Sequence, residues 1–354
     1  MTSRPRMLSG IAATGRLHIG NYIGAIQTWV RRQADFDCFF FIADMHALTI
    51  PESVRADELR SKVREIVGLY LSCGLDPKQS TIFLQSHVPA HAELAWIFQC
   101  VTPISWLQRM TQFKSKSQRT SASAGLFTYP VLQAADILLY QPKYVPVGDD
   151  QRQHVEITRD IAQRFNSLFG ECFAAPEALI PQTGARVMGL DDPTEKMSKS
   201  IAELREGHAI RLLDPPEKIR RTIMRAKTDS GSAVAADSIS PAIDNLLSLY
   251  EALTGTTRDD ALQQFDQRGY GVLKNALLEA VLDVVGTIRT KYDALTSDPG
   301  YLDDVLADGA ARAAAVADAT LRAAKDLVGL IPPRVATGSP SSPERPAGSA
   351  RSSG

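Results

Sequence analysis

An α/β fold built on a doubly wound parallel sheet, followed by a smaller all-helical region, is what the sequence predicts, on three observations. From about residue 5 to 200, short apolar runs suited to buried strands alternate with helical stretches, as parallel sheets with crossover helices require; Cys38-Phe39-Phe40-Phe41-Ile42-Ala43 and Ser80-Thr81-Ile82-Phe83-Leu84-Gln85 are two such runs. The first run, Met7-Leu8-Ser9-Gly10-Ile11, passes through a turn of small residues into helical spacing from Leu17. From about 201 to 290 only helical periodicity remains, as in Pro241 to Tyr250 and Ala276 to Ile288. Ligands of such sheets sit outside the carboxyl ends of the strands, which directs attention to the turns there.

The first turn reads Ala13-Thr14-Gly15-Arg16-Leu17-His18-Ile19-Gly20-Asn21. A strand–turn–helix leaves unpaired N–H groups and the positive helix end where a phosphate can sit. Gly20 and Gly24 permit close approach of a base or another backbone. His18 and Asn21, three apart, then face the same site. The other reading is a glycine-bearing helix start without a ligand. Further on, His87 and His91 suggest a metal pair, but Pro89 between them breaks the helix such a pair needs, which favours structural or surface roles.

Between residues 131 and 140 the chain reads Val-Leu-Gln-Ala-Ala-Asp-Ile-Leu-Leu-Tyr, and at helical spacing Asp136 shares a face with Leu132 and Leu139. A carboxylate pointing where apolar groups point needs a donor: either an Arg or backbone group, or an N–H of a buried ligand. Asp191-Asp192-Pro193-Thr194 reads as a turn, and Glu195-Lys196-Met197-Ser198-Lys199-Ser200 follows it. Two ammonium groups and two hydroxyls on a mobile, solvent-accessible segment suit a triphosphate, because lysines act as flexible point charges that follow charge onto departing pyrophosphate. The alternative is an ordinary basic surface loop.

Composition sets the outer limits. With 354 residues and 44% hydrophobic content, the chain can build a large core and two domains. Cys38, Cys73, Cys100 and Cys172 lie far apart without a Cys-x-x-Cys, which argues against zinc or an iron–sulfur cluster and for reduced core thiols. No apolar run is long enough for a membrane span, and Arg4 and Arg6 lead directly into a strand without an apolar signal core, so a cytoplasmic protein is expected. A net charge of −1 gives no global attraction to RNA. Nucleic-acid contact would need local basic surfaces, such as Arg109 to Arg119 or Arg220 to Lys227, either of which also reads as a solvated face. Pro332 to Gly354 is rich in Pro, Ser, Gly and Arg and reads as disordered.

Segments 13–21 and 195–200 together resemble the signature pair of the class I aminoacyl-tRNA synthetases, with His18-Ile19-Gly20-Asn21 a variant of the first. Gly125-Leu126-Phe127-Thr128-Tyr129-Pro130, leading into residues 131–140 and followed by Val147-Gly148-Asp149-Asp150-Gln151-Arg152-Gln153-His154, is similar to the bacterial tryptophan–tRNA ligases. The resemblance covers roughly residues 7 to 331. It implies a Rossmann-like class I catalytic domain over 1–200 and a helical anticodon-recognition domain over 201–290. It further implies C-terminal helices over 291–331 that pack back on the catalytic domain, ahead of the 332–354 tail.

The implied activity is activation of L-tryptophan by ATP to tryptophanyl-adenylate and pyrophosphate, then transfer to the 3′ end of tRNA(Trp). The relatives imply His18, Asn21, Lys116, Lys196 and Lys199 as catalytic groups, with Lys114 a weaker phosphate candidate. ATP would lie along Ala12, Ala13, Thr14, Gly20, Asn21, Gly148, Asp149, Asp150, Val187, Lys196, Met197, Ser198, Lys199 and Ser200. Asp136 would bind the indole N–H, Gln151 and Tyr129 the amino-acid head group, and His46 would pack near the ring. Mg²⁺ would ride on the ATP rather than in a protein cage, and a homodimer is implied.

Several positions depart from the pattern. Ala12 stands for a usual Gln, Ala13 for Pro and Gln133 for a frequent Met, and Ile201 follows the lysine segment where a small or acidic residue is common. Such changes suit a divergent or auxiliary copy with altered substrate or inhibitor response. The rival readings are a tyrosine–tRNA ligase and a non-charging, synthetase-like regulatory paralogue.

Overall fold

The structure, a computed structural model, describes residues 4–110, 123–148, 151–179 and 187–333. Among these, strands β1 (Arg6–Ala12), β2 (Asp37–Ala43), β3 (Ser80–Leu84), β4 (Tyr144–Pro146) and β5 (Glu177–Leu179) form one sheet in the order β3-β2-β1-β4-β5. Every neighbouring pair is parallel. The chain winds outward from β1 to β2 and β3, then returns to place β4 on the other side of β1. The β1/β4 boundary is therefore the switch point at which a doubly wound sheet opens a crevice.

Successive side chains of a strand point to opposite faces, and both faces here are covered. Met7, Phe40, Ile42 and Ile82 pack with Trp29, Val67 and Tyr70 on one side. Leu8, Phe39, Phe41 and Phe83 pack with Leu94, Phe98, Leu138 and Phe165 on the other. That is why β2 reads as an unbroken apolar run. Helical segment α1 (residues 19–32) follows β1 and consists of a short α-turn, a π-turn at Tyr22–Ile26 and an α-helix at Gln27–Arg32. Around the sheet lie α2 (Ala56–Ser72), α3 (Ala90–Val101), α4 (Ile104–Gln108), α5 (Ala124–Leu138) and α6 (Arg152–Phe169).

The rest is helical: α7 (Lys199–Leu204), α8 (Pro216–Arg225), α9 (Pro241–Thr254), α10 (Arg258–Phe265), α11 (Tyr270–Thr296) and α12 (Pro299–Leu327). Ile243, Leu277 and Val281 of α9 and α11 belong to the same apolar cluster as the first sheet face, so the helical region is built onto the sheet. α11 runs unbroken through residue 290. α12 returns to the sheet and covers edge strand β3: a Cβ on Gly309 would lie 1.7 Å from the Ile82 carbonyl oxygen, and Arg312 Nη2 donates to the Pro77 and Ser80 carbonyls. All four cysteines are free thiols, but only Cys38 is fully buried and Cys100 is exposed, so the expectation of four core thiols is corrected. Burial pushes the Cys38 and Cys73 thiols up to about 12.

Candidate active site

A cavity of about 840 Å³ opens at the carboxyl ends of β1 and β4. Its walls bring together Asp136, Tyr129, Gln151 and His46 with the turn Ala12, Ala13 and Thr14 and with Ser198, Lys199 and Ser200. Residues more than 180 positions apart in sequence thus share one space. His18, Gly20, Asn21, Gly148, Val187, Lys196 and Met197 do not form its wall. Lys114, Lys116, Asp149 and Asp150 lie outside the described residues.

At the closed end stands Asp136 on α5, with no exposed surface. Its Oδ1 accepts from Gln85 Nε2 at 2.7 Å and lies 2.7 Å from His91 Nδ1, while Oδ2 lies 2.7 Å from His46 Nε2. A carboxylate only accepts, so both imidazoles donate to it; His91 Nε2 then faces the Tyr140 hydroxyl at 2.8 Å as an acceptor. Gln85 is held in turn by the Met45 N–H donating to its Oε1. Burial alone would raise the Asp136 pKa, but the His46 and His91 contacts outweigh it and hold the carboxyl at about 2. His46, expected near the ring, is in addition a hydrogen-bond donor to Asp136. The Tyr129 hydroxyl lies 2.9 Å from His154 Nε2, and burial pushes its pKa up to about 12.

At the other end the lysine segment closes down on β1. Asp192 accepts from the Thr194 N–H and hydroxyl, making the expected turn. Met197 is buried, and Ser198 caps α7 by accepting from the Ile201 N–H. Lys199 Nζ donates to the Ala12 carbonyl at 2.7 Å. The segment expected to be mobile and solvent-accessible is thus only partly so, because the apolar Met197 and the Lys199 stem find cover. Burial lowers the Lys199 pKa to about 8, with Lys62 adding to that and Glu203 opposing it.

His18 is buried, with its Nδ1 lacking a hydrogen-bond partner among the described residues, and a Cβ on Gly20 would come within 3.0 Å of that nitrogen and 3.4 Å of the Met197 sulfur. Burial first, then the charges of Lys199, His208 and Lys196, hold the imidazole down to about 3, so it is neutral at physiological pH. Asn21 does not point beside it into the cavity wall; its Oδ1 accepts from the His18 N–H. A Cβ on Gly24 would meet nothing within 4 Å, so among the described residues no backbone packs against it.

A family model described as tRNA synthetases class I (W and Y) matches residues 1–286. The chain belongs to this family. The tryptophan–tRNA ligase of Gloeobacter violaceus is 49% identical to this class I synthetase over 334 residues, 94% of this chain and 98% of that relative. The tryptophan–tRNA ligase of Caldanaerobacter subterraneus is 50% identical over 328 residues, 92% of this chain and 98% of that relative. Among solved structures, a tryptophanyl-tRNA synthetase from Mycoplasma pneumoniae superposes with a TM-score of 0.84 at 35% identity, covering 92% and 98% of the two chains. One from Campylobacter jejuni, complexed with ADP and tryptophan, gives 0.78 at 35% identity over 92% and 100%.

Two groups behind the cavity wall hold Asp136: Gln85, which the sequence did not single out, and His91, which it read as structural or surface. His91 lies in the apolar row His91, Leu94, Ala95, Phe98 of α3, a polar residue on a buried helix face, and that same criterion singled out Asp136. Gln85 sits immediately after β3 and is fully buried. Arg55, which caps α2, and Glu58 and Lys62 of α2 also line the cavity, where charge on an exposed-looking helix gave no distinguishing signal.

Proposed function

We propose that this class I synthetase activates L-tryptophan with ATP, forming tryptophanyl-adenylate and pyrophosphate, and transfers the acyl group to the 3′ end of tRNA(Trp). The observation that carries the specificity is the Asp136 carboxylate. Oδ1 takes two donors and Oδ2 one, which leaves Oδ2 able to accept one more N–H from within the cavity. An indole N–H meets that need. A ring without it would leave a buried charged oxygen short of a donor, a type of mismatch that discriminates by roughly 10⁴-fold. Gln151 and Tyr129 are assigned to the amino-acid head group.

The chemistry asked of the remaining residues is positioning and charge stabilisation. The tryptophan carboxylate attacks the α-phosphate; Lys196 and Lys199 follow the charge that grows on the departing β- and γ-phosphates, and His18 and Asn21 serve phosphate and ribose. Lys116 is assigned to the same phosphates. Ala12, Ala13, Thr14, Gly20, Gly148, Asp149, Asp150, Val187, Met197, Ser198 and Ser200 are assigned to the nucleotide. Mg²⁺ would arrive on the triphosphate and shield its charge. The Ala12 side chain supplies no amide there, but its carbonyl already engages Lys199. Residues 201–290 are assigned to anticodon recognition, and a role in charging tRNA fits a cytoplasmic protein. Among the described residues no helix is long and apolar enough to cross a membrane. Trp96 and Ile104, 66% and 65% exposed on α3 and α4, support a homodimer.

Amino-acid-dependent ATP–pyrophosphate exchange, run with tryptophan, tyrosine and phenylalanine in parallel, tests the reading. Exchange with tryptophan alone is expected. Exchange with tyrosine would overturn the specificity, and none at all would favour a non-charging paralogue.

A further inference from the structure

The lysine segment is fastened by a histidine that no signature motif contains. His208 lies between α7 and α8 with its side chain fully buried. Its ring lies against Gly189, where an added Cβ would come within 2.5 Å of Cε1 and 2.6 Å of Nδ1. Nδ1 stands 2.7 Å from Asp191 Oδ1, and the Ser198 N–H points at Nε2 from 3.3 Å. Nε2 also lies 3.3 Å from the Lys196 carbonyl, and Arg205 Nη2 lies 3.3 Å from Nδ1. With Nδ1 donating to Asp191, Nε2 meets the 196–198 backbone either by accepting from the Ser198 N–H or, when protonated, by donating to the Lys196 carbonyl. The same carboxylate's Oδ2 is 3.2 Å from Arg205 Nε, and Arg205 also pairs with Glu195.

These contacts join two limbs of one loop. Gly189 N–H donates to the Glu195 carbonyl at 2.8 Å and Met197 N–H to the Val187 carbonyl at 3.0 Å. His208 adds the link at Ser198, the residue between Met197 and Lys199, and Leu190 N–H donates to the His208 carbonyl at 3.0 Å. Met197 and Lys199 flank Ser198, so fixing the Ser198 amide fixes where the chain enters α7 and hence where Lys199 starts its reach to Ala12.

We propose that His208, oriented by Asp191, is a positioning residue for the activation step: it clasps the 195–199 segment so that its lysines meet the triphosphate in register. It touches no substrate and acts through Ser198. This rests on the reading of Lys196 and Lys199 as phosphate-facing groups. Misplacement of such groups by about 1 Å costs on the order of a hundredfold, which is the scale at which a single lost anchor is felt.

The test compares His208→Leu, which removes both ring nitrogens, with His208→Gln, whose amide oxygen accepts from an N–H, and with Lys199→Ala, all in the full chain. In tryptophan-dependent ATP–pyrophosphate exchange, His208→Leu is expected to lower kcat/KM for ATP by about tenfold to a hundredfold. KM for tryptophan should stay unchanged, and His208→Gln should recover most of the loss. Trypsin cleavage after Lys196 should accelerate in His208→Leu and not in His208→Gln. Wild-type ATP parameters in His208→Leu overturn the proposal, as does a loss shared equally by the tryptophan KM. If His208→Leu does not fold, Asp191→Asn decides: it keeps the ring but removes the charge that orients it, and unchanged ATP kinetics there refute the clasp. If Lys199→Ala leaves exchange intact, the lysine assignment fails by itself, while the trypsin comparison still judges the clasp.

Discussion

Lys199 carries its charge where burial penalises it, so its proton is lost nearer to neutrality than an exposed lysine's, at about 8. If the charge is what stabilises departing pyrophosphate, kcat for exchange should fall as pH rises through about 8. Lys199→Arg keeps its charge over that range, and its slower rate should lack the alkaline fall. A pH–rate profile of the two enzymes checks this, and an identical fall in both would remove Lys199 as the titrating group. Asp136 makes the complementary case. Its carboxyl is held at about 2 in the fold against an ordinary 3.8, so its stabilisation is present above pH 3.8 and is lost as pH falls toward 2. Asp136→Asn should cost about 1.5–3 kcal/mol in urea unfolding at neutral pH, since hydrogen bonds to a buried charge are lost. That difference should shrink in acid, and tryptophan-dependent exchange should fall in parallel. Asp136 was legible in the sequence because a carboxylate on an apolar helix face demands a partner. Its donors were not: Gln85, His91 and His46 come from three other segments, and only the parallel register of β2 and β3 brings them to α5.

Two glycines in long helices show that the same substitution changes sign with its packing. In α12, a methyl on Gly309 would sit 1.7 Å from the Ile82 carbonyl oxygen of β3, a backbone atom that cannot rotate away. Gly309→Ala should lift the helix off the strand and cost about 3 kcal/mol or more. In α11, Gly286 has nothing within 4 Å of an added Cβ, so Gly286→Ala should stabilise by about 0.5–1 kcal/mol through the lower entropy of the unfolded chain. Urea midpoints of the two variants should move in opposite directions; equal shifts would mean α12 does not seat on β3 as described. Elements of this length were legible because periodicity accumulates over many residues, as it does over α2 or α11. β4 and β5, three residues each, are too short to carry a period. The seating of α12 depends on an absent side chain at one position, which no hydrophobic pattern reports. The lysine segment was half legible for a related reason: Lys196 is exposed as its charge suggested, while Met197 is buried and Lys199 half-buried.

At the scale of the whole molecule, the doubly wound sheet explains how one chain brings distant segments to one cavity: β1 and β4 diverge at the switch point, and α5 and α7 deliver Asp136 and Lys199 to opposite ends of the gap. Among the described residues, both ends of the cavity come from one chain. Yet Trp96 and Ile104 stand 66% and 65% exposed on consecutive helices, α3 and α4, and the proposed homodimer would cover them. α3 is also the helix that carries His91 to Asp136 from its buried side. A partner resting on the outer side of α3 would therefore support the tryptophan end of the cavity without lining it. Trp96→Asp places a charge in the middle of that surface while disturbing no buried contact, so the variant should keep the wild-type circular dichroism spectrum. In light scattering the wild type should have twice the mass of one chain, and the variant the mass of one. If activation needs only the intra-chain cavity, the monomeric variant should retain exchange with ATP kinetics close to wild type, and its defect should lie in KM for tryptophan. A wild type that scatters as a single chain would refute the dimer outright. A dissociated variant with its ATP kinetics lost would instead show that the lysine end, and not only α3, depends on the second copy.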